Sequence, residues 1–209
     1  MRSISATMQP NLVQLHQKPG PTADPLFTTR WSPRAFLPDP VQREDLLKLF
    51  DAARHAPSSF NEQPWLFLYA TTPEDRDRFL SILLEGNRTW TRQVPVLAFL
   101  LARKRSSRTG EINPMSHFDA GSAWMSLALQ ARMLGLDTHA MGGIDRERAY
   151  EVLGVPRDEF DVVVGIAIGK RADARGLPAA LAQREGPSPR KPIGDVAREG
   201  RLPSPPVEA

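Results

Sequence analysis

The chain has 209 residues, 41% of them hydrophobic, with 27 Lys+Arg against 24 Asp+Glu and a net charge of +3; this suits one domain with a sizeable core and excludes wholesale disorder. It has no cysteine, which excludes disulfides, thiolate metal sites, Fe–S clusters and a cysteine nucleophile. An excess of three charges does not signal nucleic acid or membrane, because a DNA-binding protein ordinarily makes about six to ten phosphate contacts.

The first 18 residues lack a continuous apolar core and do not read as a secretory signal. The longest apolar run, Val94 to Ala102, is about half a membrane span. A cytoplasmic protein with no membrane and no nucleic-acid partner is expected. Val41 to His55 carries Leu46, Leu49, Phe50 and Ala53 on one helical face, stopped by Pro57. Trp65 to Tyr69 reads as a strand. Thr72 caps a helix with Pro73 at its first position, predicted to run to about Glu85. Val94 to Ala102 is a buried strand beginning just after Pro95, and 103–115 is a loop.

His117 to Leu134 is the longest helix candidate, ended by Gly135. It is apolar nearly all round, which predicts a central, buried helix, with Trp124, Met125 and Met133 in core or interface. Asp137 to Met141 reads as a strand, followed by a turn at Gly142 and Gly143. Asp145 caps a short helix through Leu153, ended by Gly154, and Phe160 to Ile168 is a β-branched strand. Helices and strands mix without a βαβ repeat, which indicates an α+β fold with helices covering the sheet.

Proline is abundant at both ends. From Ala179 onward Pro187, Pro189, Pro192, Pro203, Pro205 and Pro206 predict neither helix nor central strand. Residues 1–25 form a partly flexible N-terminal arm on this reading. The domain spans 26–195, with a C-terminal arm from about 175, and 196–209 is a proline-rich tail.

Four constellations carry candidate chemistry. Arg30-Trp31-Ser32-Pro33-Arg34 sets two guanidiniums around a hydroxyl, which matches phosphate oxygens; a solvated turn has the same composition. Pro57-Ser58-Ser59-Phe60-Asn61-Glu62-Gln63-Pro64-Trp65 concentrates short donors and acceptors suited to a polar heterocycle or sugar-like chain. Turn chemistry alone needs fewer of them. Met141-Gly142-Gly143 lets backbone approach a planar ligand, or is simply a tight turn. Arg190-Lys191-Pro192 is a basic pair that could return to the same phosphate, or a solvated pair on a tail. His16, His55, His117 and His139 show no metal-ligand spacing. His139 adjoins the glycine pair and reads as structural, or as facing a substrate.

Together these motifs resemble the nitroreductase family of FMN-dependent NAD(P)H oxidoreductases. The residues carrying the resemblance are Arg30-x-Ser32-x-Arg34, the 57–65 loop, His117-Phe118-Asp119-Ala120-Gly121, His139-Ala140-Met141-Gly142-Gly143 and Arg190-Lys191-Pro192-Ile193, in the family's order over about 26–195. The resemblance implies a central mixed or antiparallel sheet covered by helices, with extended arms. It implies that Arg30, Trp31, Ser32 and Arg34 hold the FMN phosphate and ribityl chain, with Arg34 reaching the pyrimidine edge. Pro57, Ser58, Ser59, Asn61 and Gln63 would cross into the partner's flavin site. Met141, Gly142 and Gly143 would lie by the ring, with one N–H near N(5). Asn87 would touch the pyrimidine end, and Arg190 and Lys191 would return to the phosphate.

The resemblance also implies a homodimer with shared sites and a ping-pong exchange of NADH or NADPH for a small-molecule acceptor such as a nitroaromatic or quinone. The chemistry would be the cofactor's, and no catalytic dyad stands out. Family members often carry Arg or His where Trp31 stands. Many have a basic residue where Ser188 stands, a departure that Lys191 compensates on this reading. The competing class is a non-catalytic flavin- or phosphate-binding protein. A basic nucleic-acid module would predict aromatics interleaved with basic runs, and they are absent.

Overall fold

The computed structural model describes residues 22–202. The expectations for 1–21 and 203–209 lie outside the described residues. In chain order the helices are α1 (Pro25–Thr28), α2 (Arg43–Arg54), α3 (Pro73–Leu80), α4 (Glu85–Thr91), α5 (Ser116–Met133), α6 (Arg146–Leu153), α7 (Ala179–Ala182) and α8 (Ile193–Val196). The strands are β1 (Trp65–Ala70), β2 (Val96–Arg103), β3 (Asp137–Met141) and β4 (Phe160–Gly169). They form one antiparallel sheet in the order β1-β2-β4-β3. The fold is α+β.

Both faces of the sheet are covered, and β2 shows how. Its alternate residues Leu97, Phe99 and Leu101 join Ile82, Leu83, Trp90 and Ile144 in one core. Val96, Ala98, Leu100 and Ala102 join Leu46, Leu49, Ala120, Ala123 and Leu127 in the other. The period of two sends successive side chains to opposite faces. Alanines on both α5 and β2 let the helix lie close on the sheet. Leu49, fully buried here, would cost roughly 2–5 kcal/mol if cut to alanine.

Local signals explain the element ends. The Thr72 hydroxyl accepts from the Asp75 N–H at 3.2 Å, and the Asp145 carboxylate accepts from Arg148 N–H at 3.0 Å; each cap stabilises its helix by about 1 kcal/mol. Gly154 closes α6 at φ 63°, a left-handed turn that glycine adopts without strain.

Three expectations are corrected. The helix predicted to reach Glu85 stops at Leu80, and a separate helix, α4, follows. The break lets Ile82 and Leu83 plug the core, where both are buried, and pairs Leu83 with Ile144. The proline-rich C-terminal segment does form helix, as the single turns α7 and α8. Pro178 and Pro192 stand immediately before them, and each turn ends before the next proline. Finally, α5 is buried on one side only. Phe118 and Met133 on its other side are 70% and 65% exposed, because nothing among the described residues covers them. Among the described residues no helix is long and apolar enough to cross a membrane.

Candidate functional site

Residues 30–34 connect α1 to the short bridge Phe36–Arg171, with a bend at Arg34, beside the β3 edge of the sheet. There they wall a polar cleft of about 170 Å³. Arg30, Trp31, Ser32 and Arg34 come from this segment and His139 from β3. The C-terminal arm supplies Arg184, Gly186, Ser188 and Arg190. Four guanidiniums and two hydroxyls therefore converge on one small volume. Burial, and then the neighbouring Arg190 charge, lower the Arg30 pKa from its ordinary value. Cations so placed favour an anion between them. Phosphate suits this donor set, since guanidinium and hydroxyl donors match its oxygens.

The cleft is buttressed from behind. The Arg171 guanidinium lies 5.4 Å from the Trp31 ring centroid. His139 Nδ1 is 2.7 Å from the Pro33 carbonyl oxygen. A carbonyl only accepts, so Nδ1 carries the proton and Nε2 is left as an acceptor. The His139 ring packs on Trp90 at 4.8 Å, and Trp90 stacks on Phe36 at 6.2 Å. Burial lowers the His139 pKa, against the opposing pull of the Pro33 hydrogen bond. Burial therefore favours the neutral ring.

The arm is fixed to this wall by Glu185. Its Oε1 accepts from the Arg34 N–H at 2.7 Å and the Ala35 N–H at 2.8 Å. Its Oε2 is buried without a hydrogen-bond partner.

The glycine pair follows β3, three to four residues beyond His139, which is about 10–13 Å at the usual strand rise. Added at Gly142, a Cβ would meet nothing within 4 Å, so that face is open. The Gly143 carbonyl accepts from Asn87 Nδ2 at 3.0 Å and from the Leu84 N–H at 3.1 Å. The structure thus brings Asn87 on α4 to the glycine turn. Met141 is buried in the core.

The 57–63 loop lies elsewhere. It enters β1, the opposite edge of the sheet from β3, three strand spacings or about 14 Å away. No residue from 57–63 lines the cleft. Phe60, Asn61 and Gln63 have φ of 52°, 57° and 47°, left-handed conformations that cost on the order of 1 kcal/mol each. Hydrogen bonds hold this shape. The Gln63 N–H donates to Ser58 Oγ at 3.0 Å, and the Ser59 N–H donates to the buried Asp119 carboxylate at 3.1 Å. The Glu62 carboxylate accepts from the Ser106 and Ser107 hydroxyls and the Ser107 N–H, bonds that lower its pKa to about 2. Phe60 is 78% exposed, with the Arg108 guanidinium 4.2 Å from its ring centroid.

Of the residues singled out in the sequence, the structure unites Arg30, Trp31, Ser32, Arg34 and Arg190 in the cleft, and Asn87 with Gly143. Pro57, Ser58, Ser59, Asn61 and Gln63 form a separate strained loop. Lys191 is exposed and does not line the cleft. Arg184 does, as does Ser188 at the position where the family often carries a base. Sequence reasoning missed Arg184 and Glu185. Their only signal was a charged pair between α7 and Pro187, indistinguishable from a solvated one.

The nitroreductase family profile matches residues 27–89 and 82–170. A solved structure described as an oxidoreductase containing FMN is 44% identical, with a TM-score of 0.84, covering 90% of this chain and 97% of that one. The chain is 28% identical over 186 residues to the CLA biosynthesis enone reductase of Lactiplantibacillus plantarum, covering 72% of this chain and 85% of that protein. It is 26% identical over 167 residues to a Bacillus subtilis (strain 168) protein provisionally named NAD(P)H nitroreductase YdgI, covering 64% and 80%. Fold, cleft and matches define an oxidoreductase. More narrowly, the chain belongs to the nitroreductase family.

Proposed function

We propose that this protein is an FMN-dependent oxidoreductase that passes hydride from NAD(P)H to a nitroaromatic, a quinone or a similar acceptor. The observation that carries this reading is the convergence of Arg30, Arg34, Arg184 and Arg190 on one small cleft. The likeness to an oxidoreductase containing FMN supports it, as does the NAD(P)H in a relative's name. Bound FMN supplies a ring that accepts hydride and returns it to a second substrate.

The chain's own residues do the rest. Arg30 and Arg190 hold the phosphate by charge-assisted hydrogen bonds, with Ser32, Arg34 and Arg184 completing the cradle. Trp31 lines that cradle, and Lys191 follows Arg190 on the exposed arm. Gly142 and Gly143 present bare backbone to the ring, next to Met141, and Asn87 fixes the turn. With a quinone, NAD(P)H and one solvent proton give the hydroquinone and NAD(P)+. The similarity to an enone reductase adds electron-poor alkenes to the acceptors worth trying.

The active unit on this reading is a homodimer. Pro57, Ser58, Ser59, Asn61 and Gln63 of one chain complete the cleft of its partner, because their own cleft is at the other edge of the sheet. The exposed Phe60, Phe118 and Met133 supply apolar surface for the contact. The purified protein should be yellow, bleach anaerobically with NADH or NADPH, and recover colour on adding a nitroaromatic or quinone. Protein that stays colourless after incubation with FMN would refute the cofactor. Yellow protein that nicotinamides never bleach would mark a binding protein without turnover.

A further inference from the structure

We infer that Glu185 is a positioning residue for the cleft: its carboxylate hooks the C-terminal arm onto the 30–35 segment and thereby sets the spacing of the two arginine walls. The hook stands on hydrogen-bond geometry; its effect on ligand affinity rests on the FMN reading above.

The arm has few other ties. Leu177 and Leu181 pack against the core, and the backbone hydrogen bonds of residues 181–185 are local, reaching no further back than Pro178. Among the described residues, segment 184–202 is hydrogen-bonded to the body of the protein only through Glu185 Oε1, at Arg34 N–H and Ala35 N–H. The bonds of Arg190 and Arg198 are local, to Ser188, Pro189 and Gly194. Everything from Pro187 to Leu202 is exposed. Ser188 and Arg190 therefore take their place in the cleft from a pin three to five residues upstream.

The donors are telling. Arg34 and Ala35 offer main-chain N–H groups, so the hook engages the cradle's backbone and leaves the Arg34 guanidinium free for a ligand. Both bonds run to an ionised acceptor, the stronger class. Oε2 is buried without a partner, so the carboxylate is held by these two amides alone.

The test uses the full-length protein and the variants Glu185→Ala, Glu185→Gln and Glu185→Asp. Amide hydrogen exchange is read first, without flavin, in peptides covering Arg34 and Ala35. Losing an ionised acceptor should speed their exchange about tenfold or more in Glu185→Ala. Glutamine keeps an acceptor oxygen at Oε1 without the charge and should fall between wild type and alanine. Aspartate is one methylene shorter and should resemble alanine, which covers the case of an alanine variant that does not fold. Peptides from β2 and α5 should not change.

FMN affinity is then read by quenching of flavin fluorescence. It should fall about tenfold or more in Glu185→Ala and be rescued by glutamine to within about threefold. Unchanged exchange at Arg34 and Ala35 would overturn the hook. Faster exchange with unchanged FMN affinity would overturn its positioning role. Wild-type protein that binds no FMN defeats the flavin reading, and the exchange result then decides the hook alone.

Discussion

Asn87 occupies the space that a side chain at position 143 would need. Its Nδ2 donates to the Gly143 carbonyl at 3.0 Å, and a Cβ built on Gly143 would stand 2.6 Å from that same nitrogen. Gly143→Ala should therefore displace the Asn87 amide and cost about 1 kcal/mol of stability, the worth of the hydrogen bond it breaks. Removing the obstacle should recover part of the loss. In urea titrations, Asn87→Ala combined with Gly143→Ala should be less destabilised than the sum of the two single variants. Additive losses would show that the two side-chain positions do not compete.

Arg30 and Arg190 are predicted to carry phosphate affinity. Either arginine cut to alanine removes a charge-assisted contact worth about 1.5–3 kcal/mol, a tenfold to hundredfold weakening of FMN. Fluorescence titration reads it directly. Unchanged affinity in both variants would place the phosphate elsewhere.

Sharing of sites between chains is tested by complementation. Asn61→Ala chains, damaged in the loop, are refolded together with Arg30→Ala chains, damaged in the cradle. A shared arrangement gives each heterodimer one doubly damaged site and one intact site. Flavin binding and activity should then rise above either parent. If each site is built from one chain, mixing restores nothing. A folded, active monomer at high dilution would be equally decisive against sharing.

His139 makes stability depend on pH. Folding buries the ring and lowers its pKa from 6.5, so the unfolded chain takes up the proton first as pH falls. Its contribution is fully present above 6.5 and is lost as pH drops from there through the folded value, at no more than about 1.4 kcal/mol per pH unit. His139→Asn keeps a donor for the Pro33 carbonyl and cannot titrate. Urea midpoints at pH 7.5 and 5.5 should differ less in this variant than in wild type. An equal difference would mean the ring does not report the acid loss.

The elements that local chemistry specifies were legible in the sequence. Strand β3 has its predicted ends, Asp137 and Met141, and α6 has its predicted cap, Asp145, and stop, Gly154. The apolar stripe of Leu46, Leu49 and Ala53 marks the buried face of α2. What the sequence hid depends on distant partners. The helix break after Leu80 exists because Ile82 and Leu83 are needed in the core beside Ile144, and no breaker residue announces it. The site was partly legible for the same reason. Arg30, Ser32 and Arg34 sit together in sequence and form one wall, whereas Arg184 and Glu185 acquire their roles only when the arm folds back onto a segment 150 residues earlier.

That separation also sets a timetable. Glu185 meets Ala35 across 150 positions of chain, an interval of roughly 8–30 s at ordinary translation rates of about 5–20 residues per second. All four strands and both cores lie between Phe36 and Gly169 and emerge from the ribosome before the arm does. The first arginine wall is therefore made long before its counterpart. A chain that ends before Glu185 would lack the second arginine wall, so on the flavin reading proposed above, retention of cofactor would report that the arm has been made and has folded back.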